Sequence, residues 1–421
     1  MLAALCVFAK MNSNLPQVLF MNSLSLRALT PIALALTLAA CATHPHASAQ
    51  PRIPMAPPAA AQAEIKPEVE PPAKPFAKDT LYDLLLAEIA AQRNRLDITL
   101  TRYAKQAKET QDPNVLERAT QISQFVNAQP MTMELAQMWS SADPQSIEAH
   151  YLLVLNTLRN ERYDLAIPAL DSLLKMDPDA DLEQIFLNAI PPTKDGRDKL
   201  LKALDGLPQQ YADNPHIYFA RALVQDQNGD HDVALSNVRL AEKARPQSIP
   251  AILLEARILQ EQKKDPEAEA KLAQALEAHP ESRALRLNYA RVLVHARKMK
   301  EAENEYIKLV AQRPDDGDVL LTLGLLALEN HDDDLAGESL ERLLALNVHE
   351  DEAHYYLGAL ARQRKDIDTA RAEFESVEPG SVYLAAQSDL ADLLVSANDI
   401  PGARQHMSAA RTPEPDLARR L

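Results

Sequence analysis

Residues 249–282 read IPAILLEARILQEQKKDPEAEAKLAQALEAHPES, and residues 283–316 read RALRLNYARVLVHARKMKEAENEYIKLVAQRPDD. Laid one above the other, the two 34-residue blocks carry matching residue types at several fixed places. Ala256 stands over Ala290, Ala268 over Ala302, Leu272 over Tyr306, and Pro280 over Pro314. Outward from this pair the alanine column continues as Ala166, Ala234, Ala336 and Ala370, and the proline column as Pro178 and Pro246. Every spacing is 34 or 68. Self-similarity at such a period marks a solenoid of stacked units, each too small to bury its own apolar face alone.

With the proline as position 32, units begin at Ile147, Asp181, Pro215, Ile249, Arg283, Gly317 and Asp351, with another at Leu384, one residue early. Positions 8 and 20 are mostly small and position 24 is bulky: Leu170, Leu204, Val238, Leu272, Tyr306, Leu340, Phe374, Met407. Small residues let two antiparallel helices approach closely, the bulky residue fills the space behind them, and the proline stops the second helix. Composition agrees, with only 9 glycines and 5% aromatic residues among abundant helix formers.

At these residues the chain resembles the tetratricopeptide repeat, a helix–turn–helix unit of 34 residues. The resemblance implies an all-α, right-handed superhelical solenoid over 79–417, behind a disordered, lipidated amino terminus. Thr80–Pro113 fits as a first unit, with Ala87 at position 8 and Tyr103 at position 24, although Thr99 replaces the alanine at position 20. Two units are degenerate. In 181–214, Pro191-Pro192 interrupts the first helix and predicts a kink; in 114–146, Pro130 cuts a shortened hairpin around Ile122, Phe125 and Trp139. Residues 418–421 form a truncated tail without a capping helix, so the final hairpin, Leu384–Thr412, is expected to be frayed or covered by a partner.

Residues 1–40 resemble a lipoprotein signal peptide with its natural start at Met21. Arg27 precedes the apolar run Ala28–Ala40, and Leu38-Ala39-Ala40-Cys41 resembles the bacterial lipobox. That resemblance makes Cys41 the lipidation site and, with Ala42 after it, implies the periplasmic face of the outer membrane. Residues 41–78 are rich in proline and alanine, a spacer that reaches up to ~100 Å at about 3 Å per residue. A net charge of −16 argues against nucleic acid and leaves membrane attachment to the lipid.

In the repeat family, positions 2, 5, 9 and 12 of the first helix line the inner face. Position 5 includes Tyr151, Phe219, Leu253, Leu287, Leu321 and Tyr355; Arg257 and Arg291 stand at position 9 and Arg362 at position 12. These predict an apolar groove floor with guanidinium forks, suited to an extended or helical peptide carrying a carboxylate. Position 5 packing between hairpins, with solvated arginines, is the plainer expectation residue by residue. No Gly-rich phosphate loop, Gly-x-Ser-x-Gly or His-Glu-x-x-His occurs, so no enzyme, cofactor or metal is expected. The histidines, His216, His231, His279, His295, His331, His349 and His354, read as single polar surface residues, and Asp332-Asp333-Asp334 as a helix cap.

The stretch Asp79–Ala90, followed by Gln92-Arg93-Asn94-Arg95, resembles proteobacterial repeat lipoproteins, some of which are adaptors for periplasmic carboxyl-terminal processing proteases. The leading expectation is therefore a membrane-anchored scaffold whose partners are periplasmic proteins, a protease or its substrates among them. An assembly factor for a pilus, secretin or other outer-membrane machine is the alternative within the binding class. A cell-wall turnover enzyme would require active-site motifs that the sequence lacks.

Overall fold

The computed structural model describes residues 77–410. The signal peptide, Cys41, the spacer through residue 76 and the tail at 418–421 lie outside the described residues. Within them twenty α-helices follow one another and no strand occurs. They form ten hairpins: α1 (Lys78–Gln92) with α2 (Leu96–Thr110), α3 (Pro113–Phe125) with α4 (Gln129–Ala142), α5 (Ile147–Arg159) with α6 (Tyr163–Met176), and α7 (Leu182–Ala189) with α8 (Lys194–Asp205). Then come α9 (Pro215–Asn228) with α10 (His231–Ala244), α11 (Ile249–Glu261) with α12 (Asp265–Ala278), and α13 (Arg283–His295) with α14 (Met299–Gln312). The series closes with α15 (Gly317–Glu329) and α16 (Asp333–Leu346), α17 (Glu350–Gln363) and α18 (Ile367–Glu375), and α19 (Tyr383–Ser396) and α20 (Ile400–Ala410). Some first helices also touch their counterparts in the next hairpin: α5 with α7, α7 with α9, α9 with α11 and α11 with α13.

The register is written into three local devices. Each first helix needs a stop for the previous chain direction and a start for its own. Asp112, Ser146, Asn214, Ser248, Ser282 and Asp316, spaced by 34 or 68, each accept a backbone N–H of the following helix through a side-chain oxygen. Such a cap contributes about 1 kcal/mol. The expected cap at the acidic run is Asp332, which accepts from the Leu335 amide.

The second device is the turn inside the hairpin. Nine of the ten hairpins place the turn residue at positive φ, at position 15 in all but the shortened 114–146 unit: Asn94, Asn127, Glu161, Gly229, Lys263, Arg297, His331, Lys365 and Asn398. The next amide then reaches back five residues, as Lys264 N does to Leu259 O at 2.8 Å and Lys298 N to Leu293 O at 2.9 Å. This closure satisfies carbonyls that the helix end leaves open. The exception is the hairpin carrying Pro191-Pro192. There α7 has only 8 residues, and the Arg197 guanidinium donates to the Pro192 carbonyl at 2.8 Å and to Asn228 Oδ1 at 2.7 Å, clamping the corner onto α9.

The third device is the small–large exchange. The alanines at position 20 from Ala166 to Ala370 are fully buried, as are most residues at position 24. At Gly358 the fit is closest: a Cβ there would lie 2.8 Å from the Phe374 ring. The second degenerate unit departs from expectation. Pro130 does not cut it; it lies in the first turn of α4, where a missing N–H costs nothing. Ile122 and Trp139 are buried as expected, but Phe125 is 79% exposed at the end of α3.

Candidate interaction face

The nine expected inner-face residues do not share one environment. Phe219 and Leu321 are sealed, at 0 and 3% exposure. They are thereby removed from the groove floor, because neighbouring helices already fill the space above them. Tyr355 is also buried, stacked edge-on against Tyr356 with ring centroids 5.0 Å apart and tilted against Phe374. Burial, with the Asp389 carboxylate beside it, pushes its hydroxyl up to about 12. Tyr151, Leu253 and Leu287 remain half-open; burial, with Asp181 nearby, raises Tyr151 as well.

The three arginines are half-buried and engaged. Arg257 pairs with Asp226 at the end of α9, and Arg362 Nη1 donates to Asp389 Oδ1 at 2.7 Å. Asp226 also meets His231 Nδ1 at 3.0 Å, and Asp389 receives the Tyr355 hydroxyl at 3.3 Å. Arg291 reaches the hydroxyl of buried Tyr306, whose proton is held by burial against the pull of that guanidinium. It also faces Asp318. His349 lies 2.8 Å from Asp318 and is raised by that hydrogen bond. The face is thus a ladder of cations each matched by a carboxylate from an adjacent hairpin, not a row of solvated forks. Asp226, Asp318 and Asp389 carried a signal in the sequence, being acidic residues on first helices one unit from an arginine, but the hydropathy pattern did not single them out.

One cluster was unexpected. His216 is 1% exposed, not a surface residue, because α7 and the loop before α11 close over it. Glu183, also buried, accepts from Ser248 Oγ at 3.0 Å and has Arg245 Nη1 and His216 Nδ1 each at 3.7 Å. Burial, together with Arg245, pushes His216 down to about 4, and burial raises Glu183. This polar knot joins the short α7 to the next two hairpins. It supplies fixing contacts where the Pro-Pro unit lacks the usual turn.

Among the described residues no three His, Cys, Asp or Glu side chains converge on a metal position. No described helix is long and apolar enough to cross a membrane. A shallow hollow of about 460 Å³ lies between α13 and α14, lined by Tyr289, Leu293, Glu301 and Ile307.

Residues 266–327 and 321–382 match the tetratricopeptide repeat, so the chain carries these repeats. They define a class of protein-interaction scaffold that is generally non-catalytic. A TPR repeat-containing protein of Pseudomonas aeruginosa, PA4667, is 33% identical over 190 residues, 45% of this chain and 32% of the relative. The chain thus spans about a third of that relative's length. Looser overlaps exist with the structure described as functional characterization of Pseudomonas aeruginosa pilF (TM-score 0.39, 18% identity, 58% of this chain and 97% of that one). The crystal structure of MamA protein overlaps at TM-score 0.30 and 16% identity, over 47% and 90% of the two chains. These two overlaps add nothing to the fold assignment.

Proposed function

We propose that this chain is a lipid-anchored scaffold at the periplasmic face of the outer membrane. Its first-helix side holds a protein partner, and a carboxyl-terminal processing protease or its substrate is the partner class that the amino-terminal resemblance suggests. The observation that carries the binding reading is the half-open strip formed by Leu253, Leu287, Arg257 and Arg291 on consecutive first helices. Apolar side chains spaced one hairpin apart, flanked by guanidiniums already balanced by carboxylates, suit a peptide that is apolar and near neutral. A strongly acidic tail would have to displace Asp226 from Arg257 first, an exchange with little net gain.

The test is photo-crosslinking in cells from position 253 or 287. The scaffold reading expects one specific periplasmic protein captured from both positions, and its loss in Arg291→Glu. Capture only from the opposite, second-helix side would overturn the site, and a chain that fractionates with cytoplasm would overturn the location. Loss of surface structures with proteolysis unchanged would move the partner to an assembly machine.

A further inference from the structure

We infer that the outer face of α1 is a self-association surface that pairs with α1 of a second copy, antiparallel and about a two-fold axis. Leu81, Tyr82, Leu85 and Ile89 of α1 are exposed by 62, 63, 58 and 36%. In the frame that starts at Thr80, Tyr82, Leu85 and Ile89 hold positions 3, 6 and 10. The later hairpins bury those positions against the hairpin before them: Ala149, Leu152 and Asn156 on α5, Ala251, Leu254 and Ile258 on α11, and Val319, Thr322 and Leu326 on α15. On α1 the same positions have no such neighbour among the described residues. The stripe is therefore a stacking face built to the rule of the array, with no hairpin upon it among the described residues.

Its pattern says what covers it. Tyr82, Leu85, Ile89 and Gln92 follow the 3,4,3 spacing of a coiled-coil seam. In an antiparallel pair with its axis near residue 87, Leu85 of each copy meets Ile89 of the other. Asp79, in the first turn, then falls beside Arg93 of the second copy, just past the last turn. Both side chains belong to exposed residues and neither has an ion-pair partner among the described residues. The two helix dipoles are opposed in this arrangement, which is favourable. A two-fold contact closes after two copies, whereas α1 docking on the far end of another array would grow without limit.

A stripe of four partly exposed side chains falls short of the ~800 Å² per partner of a stable interface. A reversible dimer in the micromolar range is expected, weakened by salt because one charged pair at each end guides it.

Sedimentation equilibrium of the full chain tests this. The wild type should pass from monomer to dimer with rising concentration, and Leu85→Asp should remove the dimer with the helical circular dichroism unchanged. Asp79→Arg alone and Arg93→Asp alone should each weaken association by about threefold to tenfold, since each places like charges together. The double exchange, Asp79→Arg with Arg93→Asp, should restore it. A chain that stays monomeric at every concentration, a ladder of higher oligomers, or a dimer indifferent to the charge exchange would each overturn the proposal.

Discussion

Two glycines in neighbouring repeats show how far a residue's effect depends on what it touches. Gly337, inside α16, has its nearest would-be neighbour, Leu360 Cδ2, at 3.8 Å, so Gly337→Ala should gain about 1 kcal/mol from helix propensity. Gly358 should behave in the opposite way. Its Cβ would press on the Phe374 ring at 2.8 Å, and the resulting overpacking, typically ~1–3 kcal/mol, outweighs the same propensity gain. Thermal melts of the two variants should move in opposite directions. Titration gives a second residue-scale expectation. Glu242 is pushed up to about 7 by burial, with Glu255 beside it adding to the rise and Lys271 opposing it. Burial raises Glu255 too, but Lys271 and Arg239 outweigh it and hold that carboxyl below its usual range. For Glu242 the folded chain binds the proton more tightly than the unfolded one. Its stabilising contribution is therefore complete below the usual glutamate pKa and is lost as pH rises through about 7. Glu242→Gln should flatten the stability profile between pH 5 and 8 and melt higher than wild type at pH 8. A variant with the wild-type slope would count against this account.

At the scale of the element, the turn inside each hairpin carries a stability effect of the same order as helix propensity. Gly229 meets its left-handed position without a Cβ penalty, while Lys263 and Arg297 hold the same conformation at a cost. Lys263→Gly and Arg297→Gly should each raise the melting temperature, by roughly 0.5–1 kcal/mol of added stability, and Gly229→Ala should lower it by about 1–2 kcal/mol. The periodic prolines, alanines and position-24 residues made the hairpins legible, because helix spacing and chain reversal are local properties. The ladder of caps from Asp112 to Asp316 keeps the same 34-residue spacing but emerged only from the structure. Pro130 was misread because proline ends one helix or begins another according to where the preceding cap falls, and the cap here is Ala128, which offers no side-chain signal.

For the molecule as a whole, a linear stack makes each hairpin's protection depend on having neighbours on both sides. Hairpins α11–α12 and α13–α14 pack before and behind, whereas α20 packs chiefly on α19 among the described helices. Amide hydrogen exchange should show α11–α14 opening slowest and α19–α20 several-fold faster. Equal protection across the array would mean that something else covers the last hairpin. The polar knot of Glu183, His216, Arg245 and Ser248 adds one long-range tie, from α7 to the start of α11. Its buried histidine was not legible because nothing in the repeat pattern says which polar residue will be enclosed when a helix is shortened.

The sequence by itself determined the period, the hairpins, the small–large exchange that seats each helix on its mate, and the class of scaffold these make. Those follow from spacing along one chain. Only the tertiary structure decided which inner positions stay open, since burial is set by residues a whole hairpin away. Phe219 and Leu321 closed while Leu253 and Leu287 stayed half-open, although all four occupy the same place in the repeat. The tertiary structure also decided that Arg257 and Arg362 pair with Asp226 and Asp389, because a charge near a low-dielectric surface takes the nearest fixed counter-charge that stacking provides.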